Sequence, residues 1–160
     1  MSYMENKNRL MEAGFFTIPR VENEITPDML PRRATYGSAG YDFLSPVDIV
    51  INPGEQQVIW SNVRCMLPVG YVLEIYPRSS YGIKKGIMLA NTVGIIDSDY
   101  FDNPSNMGNI GICLKNMGKE PVEIKRRDAI AQGIIKQFYI TRNDEPKNHD
   151  RTGGIGSTGK

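Results

Sequence analysis

"QVIWSNVRCMLPVGYVLEIYPRSS", Gln57–Ser80, holds two runs rich in Val, Ile and Tyr, parted by "PVG" and closed by "PRSS". Branched and aromatic side chains in short runs, cut by Pro and Gly, read as β-strands joined by turns. The pattern extends in both directions. Upstream, "VDIVI" (47–51) meets the turn signal "NPGE". Downstream come "NIGICLKN" (109–116), the turn "MGKE", "PVEIK" (121–125) and "AIAQGIIKQFYI" (129–140). A further first strand is expected near "GFFTIPRV" (14–21). Breaks at this rhythm, with no long stretch carrying the i, i+3, i+4, i+7 stripe of a helix, predict an all-β sandwich or barrel. One short helix is expected at "SSYGIKKG" (79–86), capped by Ser79 or Ser80 and stopped by Gly86.

The chain has 160 residues, 40% of them apolar and 23% charged, with a formal net charge of +1. That length suits one domain over residues 1–160, with flexible ends at 1–12 and 143–160. Near-neutral charge gives no reason to expect stable nucleic-acid or membrane binding, so any anion must be held by a local cluster. No apolar run is long enough to span a membrane and the N-terminus has no signal-peptide core, so a cytoplasmic location is expected. Cys65 and Cys113 lie in strand-like runs and read as reduced residues, and the single histidine, His149, sits in a polar stretch.

Five stretches carry chemistry. In "PRSS", Arg78, Ser79 and Ser80 stand where a strand gives way to a helix, a seat for a phosphate or simply a strand-end arginine and a serine cap. In "LANTVGIIDSDY" (89–100), "NTVG" reads as a hairpin with Gly94 free to take a positive φ, its rim backbone able to meet the edge of a flat base. Asp97 and Asp99 then share one face if the chain is extended. One carboxylate can serve as a general base, or the two can be solvated turn acids or a Mg²⁺ site. "SAGYDF" brings Gly40 and Asp42 to the mouth of a strand, and Gln132 is a polar residue inside the apolar strand "DAIAQGI", either a satisfied amide or a ligand contact. The tail "RTGGIGSTGK" (151–160) contains four glycines, whose backbone N–H groups can close around phosphates if the tail is more than a loose end.

In this order and spacing the five stretches resemble the five motifs of the trimeric dUTP diphosphatases (dUTPases): "AGYD", "PRSS", "NTVGIIDSDY", "IAQGI" and "RTGGIGSTGK", spanning residues 39–160. The segment "YFDNPSNMGNI" (100–110) further resembles a branch common in Firmicutes and their phages. The resemblance implies a distorted β-barrel or jelly roll of the β-clip type, a homotrimer with active sites shared between subunits, and hydrolysis of dUTP to dUMP and pyrophosphate. That activity limits uracil in DNA and supplies dUMP for thymidylate synthesis. It implies Asp97 as the base that activates water, and Tyr100 beneath the deoxyribose. Asn91 and the backbone of Gly94, Ile95 and Ile96 would read uracil. Arg78, Ser79, Ser80 and Gln132 would hold phosphates, with Asp42 supporting them. Arg151, Ile155, Gly156, Ser157 and Thr158 would form a lid that closes over the nucleotide. Mg²⁺ is implied as a cofactor carried by the triphosphate and water, with no direct protein ligand.

Three departures stand out. Ile155 occupies a position where the family usually has a phenylalanine that stacks on uracil. The turn "RRDA" (126–129) replaces a glycine–acid–arginine turn: Arg127 stands at the glycine, Ala129 at the arginine, and Arg126 or Arg127 is the candidate replacement charge. One residue fewer separates Arg151 from the glycine pair. Two other activities remain open at this point. A dCTP deaminase would share the fold and the arginine–serine–serine element, but "NIGICLKN" supplies no acid for its proton transfer. A regulatory nucleotide-binding relative would use the long segment 101–109 to engage a protein partner.

Overall fold

β-Branched side chains favour strands over helix because their stiff χ1 packs well on a pleated surface, and the chain folds accordingly. The computed structural model describes residues 13–147, 151 and 153–155. The expected flexible segment 1–12, His149 and the lid residues Gly156, Ser157 and Thr158 lie outside the described residues.

Among the described residues twelve short strands follow in order: β1 (Gly14–Thr17), β2 (Arg32–Arg33), β3 (Tyr41–Leu44), β4 (Ile49–Ile51), β5 (Gln56–Trp60), β6 (Val63–Met66), β7 (Tyr71–Pro77), β8 (Ile87–Leu89), β9 (Gly94–Ile96), β10 (Gly111–Asn116), β11 (Val122–Ile124) and β12 (Ala129–Gln137). They form a distorted jelly-roll barrel. Its largest sheet has the order β2-β3-β12-β7-β9, and the others are β5-β10-β8, β1-β6 and β4-β11. Inward residues of all these sheets meet in one core, with Phe43, Leu73, Ile112, Leu114 and Ile130 fully buried.

Three expectations are corrected. "QVIWSNVRCML" is two strands in different sheets, because Asn62 takes φ 58° and turns the chain between β5 and β6. The helix is one wide turn, Ser80–Lys84; Ser79 makes no capping side-chain bond, whereas Gly86 does stop it at φ 67°. A single turn has little macrodipole, so any phosphate there must rest on side chains and local N–H groups. "NTVG" is not a hairpin. β8 and β9 belong to different sheets, Thr92 rather than Gly94 takes the positive φ (63°), and the turn carries the chain from one sheet to the other.

Candidate active site

The large sheet sets two clusters. Across β3, β12 and β7, Asp42 pairs with Gln132 and Gln132 with Tyr76, so the three side chains stand in a row on one face. At the end of β7, Arg78 Nε lies 3.2 Å from Asp42 Oδ1, and Arg78 Nη1 donates to Ala129 O at 3.4 Å. Gln132 Nε2 donates to Pro77 O at 3.1 Å. Ser79 and Ser80 are exposed immediately beyond. Asp42 therefore orients the guanidinium, and Gln132 ties its strand to the "PRSS" turn. The buried Tyr81 ring anchors that turn from below. Its hydroxyl donates to Asp128 Oδ2 at 3.3 Å, and burial, aided by the Asp128 charge, pushes its pKa up to about 12.

Arg127, standing at the glycine position, takes φ 75°. Arg126 donates to Pro46 O and to Glu24 O, and Arg127 forms an exposed ion pair with Asp28 at 2.7 Å.

The second cluster lines a cleft of about 650 Å³ bounded by Asn91, Gly94, Ile95, Ile96, Asp97, Tyr100, Arg151 and Ile155. β9 is the edge strand of its sheet, so among the described strands it has a neighbour on one side only. Its other edge offers N–H and C=O groups to a flat partner. Asp97 does not continue the strand beside Asp99 as expected. It precedes a 3-10 turn, Ser98–Tyr100, yet both carboxylates still converge on one group. Arg151 Nη2 lies 2.6 Å from Asp97 Oδ2 and Arg151 Nε 2.7 Å from Asp99 Oδ1, and the guanidinium carbon sits 5.5 Å from the Tyr100 ring centre. Burial raises the Asp97 pKa above the ordinary carboxylate value, Arg151 opposes that rise, and the neighbouring charge of Asp99 adds to it.

Tyr100 is buried to 6% exposure. Its hydroxyl donates to Asn109 O at 2.7 Å and accepts from Asn106 Nδ2 at 2.8 Å. Asn109 Oδ1 in turn accepts from the Asn62 backbone N–H, and its Nδ2 donates to Asn62 Oδ1, both at 2.9 Å. Asn62, Asn106 and Asn109 were missed as supports for the site; for the last two the signal was the run of asparagines in "DNPSNMGN" (102–109), set three residues apart at 103, 106 and 109. Asn103 and Asn109 turn inward and are buried, so this segment is built first as a brace for Tyr100.

Within one chain Asp97 and Arg78 stand well apart along the sheet. β9 runs antiparallel to β7 with Ile96 opposite Leu73, which puts Asp97 level with Val72. Arg78 lies six residues further along, roughly 20 Å at strand spacing.

The family model described as dUTPase matches residues 27–159. A deoxyuridine 5'-triphosphate nucleotidohydrolase of Lactococcus lactis is 39% identical over 131 residues, covering 81% of this chain and 87% of the relative. One from Corynebacterium glutamicum is 36% identical over 156 residues, covering 94% and 99%. Among solved structures, a dUTPase from Streptococcus mutans superposes with a TM-score of 0.75 at 34% identity, over 81% of this chain and 99% of that one. The dUTPase of phage phi11 of S. aureus shares the fold, with a TM-score of 0.68 at 23% identity over 86% and 97% of the two chains. Another structure of that phage enzyme is described as coordinating a structural Mg(II) ion.

Proposed function

The chain belongs to the dUTPase family, and from that premise we propose that it hydrolyses dUTP to dUMP and pyrophosphate through sites completed by neighbouring copies of itself. The observation that carries the mechanism is Asp97, a half-exposed carboxylate on the wall of a cleft floored by Tyr100. Asp97 takes a proton from a water whose oxygen attacks the α-phosphorus; the bond from that phosphorus to the bridging oxygen breaks, and pyrophosphate leaves. Asn91 and the free edge of β9 are suited to reading uracil, and a buried Tyr100 leaves no room for a ribose 2′-hydroxyl. Arg78, Ser79, Ser80 and Gln132 hold phosphate oxygens, with Asp42 steering Arg78. Arg151 and Ile155 come over the cleft, and the remaining lid residues Gly156, Ser157 and Thr158 are assigned to the phosphates by their place in the motif. Positioning and charge stabilisation then supply most of the rate.

Assembly follows from distance. The serine–arginine cluster and the base's water must both reach one α-phosphorus, and the spacing of roughly 20 Å between Asp97 and Arg78 along β7 favours a site completed by a second chain. A homotrimer with shared sites resolves this. The outer face of β5-β10-β8 supports it: Val58, Trp60 and Met88 are 46%, 42% and 45% exposed, an apolar patch suited to a second copy. Substrate would be met in the cytoplasmic nucleotide pool.

The residues also suit magnesium carried with the substrate. The phosphate cluster offers a guanidinium, two hydroxyls and an amide, and among the described residues no group of three or more His, Cys, Asp or Glu converges as a cage. Mg²⁺ favours phosphate oxygens and its own waters, and when bound it neutralises triphosphate charge.

The test is pyrophosphate release from dUTP, dTTP, dCTP and UTP, each with Mg²⁺ and with a chelator. Release from dUTP alone, lost on chelation, is expected. Ammonia release from dCTP, or no release from a folded protein, would overturn the reading.

A further inference from the structure

The segment 101–109 does more than brace Tyr100. The tail passes directly over it. Gly154 lies so close that a Cβ built there would stand 2.8 Å from Asn106 Nδ2 and 3.1 Å from Ser105 Oγ. Such a clash is cheap when the facing side chain can swing away. Asn106 has no such freedom. Its Nδ2 donates to Tyr100 Oη at 2.8 Å, while its Oδ1 accepts from Asn103 Nδ2 at 2.7 Å and from Gly108 N at 3.1 Å. Asn103 is itself fixed by donating to Tyr100 O at 2.8 Å. The segment is pinned to the body of the protein by the Arg64–Asp102 ion pair and by Phe101, which packs edge-on against Phe16 at 5.9 Å.

We infer that Ser105 and Asn106 form a seat for Gly154 of the tail, and that Asn106 is a positioning residue holding the tail and Tyr100 in one register. Both groups meet the same amide, so a tail that sits correctly finds Tyr100 correctly placed, and a displaced tail strains the bond to Tyr100. Arg151, three residues before Gly154, lies against Asp97, Asp99 and the Tyr100 ring, so the seat fixes where the guanidinium falls. The seat leaves no room for a Cβ at the position it meets, and Gly154 of this chain fills it. This inference rests on the hydrolase reading for its consequence in catalysis, but the seat itself is measurable without nucleotide.

Hydrogen exchange of segment 151–155 in the nucleotide-free protein is compared in wild type, Gly154→Ala, Asn106→Ala and the double variant, with Tm confirming that each is folded. Gly154→Ala is expected to speed exchange about fivefold in the wild-type background and less than about twofold beside Asn106→Ala, the non-additivity of groups in direct contact. KM for dUTP should follow the same non-additive pattern, with kcat changing less. Should Asn106→Ala fail to fold, Asn106→Ser provides the same room and is read in the same way. Equal effects of Gly154→Ala in both backgrounds, or no effect in either, would overturn the seat. Coupled exchange in a protein that releases no pyrophosphate from dUTP would uphold the seat and remove the hydrolase reading instead.

Discussion

Arg151 grips the carboxylate assigned as the base, and the consequence is visible in pH. As the proposed base Asp97 would act only when ionised, so kcat/KM is expected to fall as pH drops through its pKa, which burial holds above the ordinary value of about 3.9. Arg151 pulls that pKa down, so Arg151→Ala is expected to move the acid limb of the kcat/KM profile to higher pH; a limb that stays in place or moves lower would count against the pairing. The sign for stability is the reverse of an ordinary ion-paired acid. A carboxyl with a raised folded pKa binds its proton more tightly in the fold, so it weighs against the native state at neutral pH, and the penalty fades as pH falls through the raised value. Asp97→Asn should therefore cost about 10²- to 10⁴-fold in turnover while nucleotide binding persists and Tm at neutral pH does not fall. Near-normal turnover would place the base elsewhere. Ile155 is 74% exposed at the cleft, and as the proposed cover of the base it would act by dispersion alone. Ile155→Phe adds a ring that can stack, and a fall in KM of roughly two- to tenfold is expected from steady-state kinetics.

At the level of elements, the turn before β12 shows local sequence yielding to context. Arg127 is held at φ 75°, a region costly for a side-chain-bearing residue and free for glycine. Arg127→Gly relieves strain of about 1–3 kcal/mol and gives up an exposed ion pair with Asp28 worth about 1 kcal/mol or less, so thermal unfolding should shift upward. A lower Tm would mean that the pair outweighs the strain. The same elements show what the residues make legible. Strand positions followed from runs of branched side chains, and Gly86 announced the end of its turn. Sheet membership did not follow, because it depends on which distant strand pairs with which. "QVIWSNVRCML" looks continuous until Asn62 bends it, and "NTVG" carries hairpin residues while its flanking strands leave for different sheets. The site residues were named from five short stretches, whereas their supports, Asn62, Asn106 and Asn109, emerge only when the chain closes on itself.

For the whole molecule, the separation of Asp97 and Arg78 along β7 is the decisive dimension. Complementation between variants tests it. Trimers made only of Asp97→Asn chains, or only of Ser80→Ala chains, should each be nearly inactive. Unfolding and reassembling the two together should regenerate some sites that pair an intact Asp97 with an intact Ser80. Recovery of activity in the mixture, measured as pyrophosphate release from dUTP, is expected; a mixture no better than its parents would mean that each chain works alone.

The exposed apolar face around Val58, Trp60 and Met88 then bears on dosage. If copies meet through that face to complete each site, a solitary chain is catalytically mute, and output depends on abundance more steeply than in proportion. Far below the assembly threshold the concentration of trimer varies as the cube of the chain concentration, so halving the supply of protein would cut the rate about eightfold. Scarcity alone would act as an off-switch, with no inhibitor required.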